Sequence, residues 1–177
     1  STACLGGEIP QAILKGRIDV AEDIALWYKN LFADDFYLEI QDHGSIEDRI
    51  VNVELLKIGK KHKIKVIATN DAHYISNMDV EAHDALLCVL TGKLISDEKR
   101  LRYTGTEYIK SENEMLDLFK DHLDDESIKE AVNNTVEISE KIEVFDLFGK
   151  YRMPKFPLKE EKDSFSLLTK LSNEGLL

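Results

Sequence analysis

Phe36-Tyr37-Leu38-Glu39-Ile40, the amphipathic run from Ile46 to His62, and Ile64-Lys65-Val66-Ile67-Ala68-Thr69 decide the fold. The outer two are short runs of aromatic and branched aliphatic residues, the chemistry of strands. Between them Val51, Leu55 and Ile58 share one helical face, and the turn-like Gln41-Asp42-His43-Gly44 closes the first run. Parallel strands need a long crossover connection, so strand, helix, strand is the pattern of a parallel β-α-β unit. The expected class is α/β.

Upstream, Asp19 with Glu22 has the spacing of a capping box. Val20, Ile24, Trp27 and Leu31 follow on one face, which predicts a helix over about 20–33. Downstream the strands disappear. Asn77 to Leu90 reads as a helix with His83, Leu86, Leu87 and Leu90 on one side, ended by Gly92. Ser111 and Glu114 form a second capping box before Met115, Leu118 and Phe119. Ser127 to Glu143 carries Ile128, Val132, Thr135, Ile138 and Ile142 on a stripe. Pro154 and Pro157, followed by the charge run Lys159 to Asp163, place a boundary that splits the chain into 1–150 and 151–177. With no cap or polar tail after Leu171, the chain is expected to be a piece of a longer polypeptide.

The 177 residues carry 23 Lys and Arg against 34 Asp and Glu, a net charge of −11. A surface this acidic does not hold nucleic-acid phosphates by bulk electrostatics. No apolar run approaches the roughly 18 residues of a membrane span, so no membrane partner is expected. Cys4 and Cys88 lack a CxxC spacing and point to reduced thiols in the cytoplasm.

Thr69-Asn70-Asp71-Ala72-His73-Tyr74 directly follows the second strand, and the carboxyl ends of parallel strands are where ligands bind. Asp71 and His73 stand two apart on an extended segment, so both side chains point one way and can share a divalent cation. Equally, Asp71 can cap the next turn and His73 be an incidental loop residue. Cys4, before Gly6-Gly7, is either a soft metal ligand or a small buried residue. His43 reads as a third ligand or base, or as part of a solvated turn. His83, on an apolar face, reads as a hydrogen-bonded structural histidine. His62, His122 and Cys88 carry no functional expectation, and Lys99 to Arg102 read as a loop paired with acidic neighbours. Phosphate-loop, dinucleotide, nucleophile-elbow and zinc-protease motifs are missing.

Six blocks extend this reading: Ala3-Cys4-Leu5-Gly6-Gly7-Glu8-Ile9, Phe36 to Gly44, Ala68 to Tyr74, Ala82 to Cys88, Tyr108 to Ser111 with Glu114-Met115, and Asn134-Thr135. In this order they resemble the alpha subunits of bacterial DNA polymerase III. The resemblance implies part of a distorted β/α barrel with parallel strands, the polymerase-and-histidinol-phosphatase (PHP) domain, followed by a helical C-terminal region. Residues 1–150 would be the C-terminal part of that domain, and 151–177 a linker and the start of the polymerase palm. The family's metal ligands fall on Cys4, Asp71 and His73, implying zinc or manganese there and magnesium in a palm site outside this chain. No catalytic residue falls within it, and no ligand role falls on His43 or His83. The implied activity of the parent is template-directed DNA synthesis, linked through this domain to 3′-to-5′ exonuclease or phosphoesterase chemistry, with other replicase subunits and primer-template DNA as partners. Two other readings stay open: a structural module that docks a proofreading subunit, and a free-standing phosphoesterase.

Overall fold

A computed structural model of the chain describes every residue except 146, 153, 155, 156, 159–161, 176 and 177. Its elements run α1 (Glu8–Leu14), α2 (Ile18–Phe32), β1 (Leu38–Ile40), α3 (Ile46–His62), β2 (Val66–Ala68), α4 (Val80–Thr91), α5 (Glu112–Leu118), α6 (Asp125–Lys141) and α7 (Ser164–Glu174). The described residues divide into two compact units, Ser1–Ile142 and Glu143–Leu177. The second contains α7, where Asp163 accepts the Ser166 amide at 2.8 Å as a helix cap. The predicted proline-and-charge boundary falls partly outside the described residues.

β1 and β2 are parallel, with Leu38 opposite Val66 and Ile40 opposite Ala68. The predicted β-α-β unit is present, its strands trimmed to three residues each. α3, the crossover, begins at a capping box: the Ser45 hydroxyl accepts the Asp48 amide at 2.9 Å and the Asp48 carboxylate accepts from Ser45. Val51, Leu55 and Ile58 are buried as their spacing requires. Gly59 lets α3 lie directly on β2, since a Cβ there would stand 2.9 Å from both the Ile64 carbonyl oxygen and Val66 Cγ2.

A two-stranded sheet leaves both edges open to unwanted pairing. Leu38 N–H and Ile40 C=O serve the ladder, so the Glu39 backbone faces outward from β1. There the buried Thr2 hydroxyl accepts the Glu39 amide at 2.8 Å. On β2 the Lys65 carbonyl faces β1, so the Val66 carbonyl points away, and the buried Asn134 side chain of α6 donates to it at 2.8 Å. One polar side chain thus caps each edge. The core extends from these strands to Ile9 and Ile13 of α1, Ala21 and Ala25 of α2, Phe119, and Ile128 and Ala131 of α6.

Four expectations need correction. α2 starts at Ile18 behind Arg17, with no side-chain cap bond, so Asp19 lies within its first turn and is not a cap. Its buried stripe is Ala21 and Ala25, while Trp27 and Leu31 are exposed, because close approach of α1 selects small residues. α6 buries Ile128 of its predicted stripe, and Val132 packs on the core, but Ala131 and Asn134 are buried beside them and Ile142, just past its last turn, is exposed. On α4, Leu86 and Leu90 are exposed and Cys88 is the buried residue. α1 is a helix that the Gly6-Gly7 signal did not foretell. In the loop 99–102 Arg100 pairs through both amino groups with Asp84 as expected, while Arg102 donates to the Ile95 carbonyl.

Candidate functional site

The carboxyl ends of β1 and β2 carry a connected set of polar side chains. Glu39 accepts from Thr69 Oγ1 at 2.5 Å and from Gln41 Nε2 at 3.0 Å, and Gln41 also reaches Thr69 at 3.1 Å. Two residues beyond Thr69 stands Asp71, whose φ of +47° lies in the left-handed region. The turn brings Asp71 Oδ2 to 3.4 Å from His73 Nε2. Two ligand atoms, each about 2.1 Å from a tetrahedral ion, lie about 3.4 Å apart, so this pair fits one divalent cation. Both side chains are partly open to solvent.

Aromatic rings wall the imidazole. The Tyr103 ring centroid is 4.3 Å and the His83 centroid 5.7 Å from that of His73, and Tyr74 stands 5.3 Å from His83. Burial, then the nearby Asp71 and Glu107 carboxylates, raises the Tyr103 phenol above its usual value. His83 Nδ1 is buried without a hydrogen-bond partner, so the expected hydrogen-bonded histidine is instead held by ring contacts.

Cys4 is exposed, which corrects the alternative of a small buried cysteine. It lines a small cavity with Glu39, Gln41, Asp48 and Asn52, beside the β1 edge that Thr2 caps. Gly7 makes this approach possible, because a Cβ there would meet the Thr2 carbonyl at 2.4 Å. Cys4, Asp71 and His73 do not converge within 4.8 Å as a closed ligand group. Among the described residues the group that does is Asp42, Asp121 and His122.

That cluster was not foreseen, since 79 residues separate Asp42 from Asp121. Asp42 is 2% exposed, which corrects the solvated turn expected at 42–44. Its donors are of the kind divalent cations take, but His122 Nδ1 sits 2.6 Å from Asp121 Oδ1, a hydrogen-bond separation, and Arg49 Nη2 approaches Asp121 to 2.5 Å. Here the guanidinium supplies the positive charge, and His122, then Arg49, holds the Asp121 carboxyl below its usual value. The second unforeseen residue is Glu107, 3% exposed. Burial alone would raise its carboxyl, but bonds from the Thr104 amide and hydroxyl and from Tyr74 outweigh it and hold it down at about 2.

Relatives of known name cover this whole arrangement. The DNA polymerase III alpha subunit of Borreliella burgdorferi is 39% identical over 179 residues, 99% of this chain and 15% of that protein. Those of Campylobacter jejuni (36%, covering 91% of this chain and 14% of that protein) and Thermus aquaticus (37%, 99% and 14%) match similarly. The chain is homologous to a segment of the DNA polymerase III alpha subunit. It spans about a seventh of the length of these alpha subunits. The sequence model of the PHP domain matches residues 1–43, which include Cys4 and stop before Asp71 and His73. A mixed α/β unit with a small parallel sheet thus accompanies a PHP match in an alpha-subunit homologue. Among the described residues no helix is long and apolar enough to cross a membrane.

Proposed function

We propose that the chain is the C-terminal part of the PHP domain of a bacterial replicative DNA polymerase, residues 1–150, leading at 151–177 into the palm. In this reading the β-α-β unit is a portion of a distorted β/α barrel. The protein works in the cytoplasm and meets primer-template DNA and the other replicase subunits through its full length. The relatives' names support the polymerase, since their identity runs along nearly the whole chain. Their greater length disfavours a free-standing phosphoesterase.

The observation that carries the site is the 3.4 Å approach of Asp71 to His73 at the carboxyl end of β2. These two would hold zinc or manganese together with ligands outside this chain, and Cys4, which stands apart from the pair beside β1, would join the same metal cluster from that side. A divalent metal held there supplies charge stabilisation for a phosphate and activates water for phosphoester hydrolysis. Asp71 offers a carboxylate oxygen. His73 offers Nε2 from a ring packed on one side against those of Tyr103 and His83. In this reading the carboxylates of nucleotide transfer belong to the palm, outside this segment.

The test uses the full-length subunit with D71N, H73A or C4S, assayed for 3′-to-5′ hydrolysis and for primer extension. The expected result is hydrolysis lost and extension retained. A wild-type hydrolysis rate in D71N and H73A would overturn the catalytic reading. Absence of hydrolysis in the wild type, with its metal content intact, would favour the structural module that docks a proofreading subunit.

A further inference from the structure

Glu107 lies in the irregular run between α4 and α5, none of whose residues from 103 to 110 joins the hydrophobic core. Its buried carboxylate needs full satisfaction. It accepts from the Thr104 amide (3.1 Å) and hydroxyl (2.8 Å), the Gly105 amide (3.0 Å) and the Tyr74 hydroxyl (2.9 Å), with His43 Nδ1 at 3.7 Å. Its main-chain oxygen takes the His73 amide at 2.8 Å and that of Tyr74 at 3.3 Å. The same two segments are joined again where Asn70 donates to the Thr106 carbonyl at 3.2 Å and Ile109 donates to that of Tyr74, also at 3.2 Å.

The direction of these bonds is informative. Thr104, fixed by two of them, immediately follows Tyr103, whose ring lies 4.3 Å from that of His73. Glu107 therefore grips His73 from two sides, by the backbone and by the ring that covers the imidazole. Asp71, between these anchors, holds a left-handed backbone conformation that is uncommon for non-glycine residues, although Asp enters it more readily than most.

We propose that Glu107 is the positioning residue of His73, setting the imidazole beside Asp71 so that both present their ligand atoms to one divalent cation. This rests on the metal-site reading above. It also assigns the 103–110 run a purpose, as a polar strap over the ligand loop. Glu107 acts through the backbone and Tyr103 and not by a bond to the imidazole, so its effect is placed at about 10-fold, the low end of what directly bonded outer-shell partners contribute to metal affinity.

The experiment titrates the metal-free full-length subunit with Co2+, reading affinity and the visible absorption that reports ligand geometry, with thermal stability and primer extension as controls of folding. E107Q removes the charge and turns an amide group toward the donors while leaving the main-chain bond to His73; it is expected to bind about 10-fold more weakly with an altered spectrum. E107D, which keeps the carboxylate, is expected to recover part of the loss. T104V deletes one hydroxyl at constant shape, should shift affinity the same way by a smaller factor, and decides the question if E107Q does not fold. Wild-type affinity and spectrum in E107Q and T104V, with binding lost in H73A, would overturn the positioning role alone. Unchanged Co2+ binding in both D71A and H73A would overturn the metal site, and the positioning role with it.

Discussion

Acid should weaken the fold through Glu107. Its carboxyl, 4% exposed, is held at about 2 against an ordinary 4.5. A carboxylate with a lowered folded pKa contributes stability that is fully present above 4.5 and is lost as pH falls from there through about 2. At about 1.4 kcal/mol per pH unit, the difference between 4.5 and 2 corresponds to about 3 kcal/mol. The structure explains the size. Four donors face the carboxylate, and protonation places a fifth hydrogen among them. E107Q meets the same crowd of donors at every pH and has no charge to lose. Urea unfolding of wild type and E107Q between pH 2.5 and 7 should show a gap of about 3 kcal/mol near neutrality that closes toward pH 2.5. A gap that stays constant with pH would refute the reasoning.

Other outcomes follow from the same geometry. G59A gains about 1 kcal/mol of helix propensity but drives a Cβ to 2.9 Å from the Ile64 carbonyl, so a net loss of about 1–2 kcal/mol is expected in urea unfolding. The 177-residue chain alone should incorporate no nucleotide on a primed template, because the proposed assignment puts the palm carboxylates outside it. At a net charge of −11 it should bind duplex DNA no better than micromolar, as read by fluorescence anisotropy at two salt concentrations.

What could be read from the sequence was local. Ile46 to His62 matched α3 end to end, because Val51, Leu55 and Ile58 repeat at helical spacing and Lys63 then turns left-handed. Asp71 and His73 do approach one another, but through a left-handed turn at Asp71 and not through the extended segment that their i, i+2 spacing suggested. The failures came where a distant partner chose the outcome. Ala21 and Ala25 are buried in preference to Trp27 because α1 lies close, which no property of α2 alone encodes. Asp42 is buried because Arg49, Asp121 and His122 surround it from other elements. Glu107 looks like a loop acid until Tyr74, Thr104 and the His73 amide are folded around it.

The central claim is that Asp71 and His73 are ligands of a divalent metal in the full-length polymerase. Metal quantification after exhaustive dialysis tests it most directly, comparing the wild-type subunit with the D71A/H73A double variant and with the 177-residue chain. The account predicts zinc or manganese retained by the wild type, lost from the double variant, and poorly held by the isolated chain, since it assigns the remaining ligands to the rest of the subunit. The same metal content per polypeptide in the double variant and the wild type would contradict it.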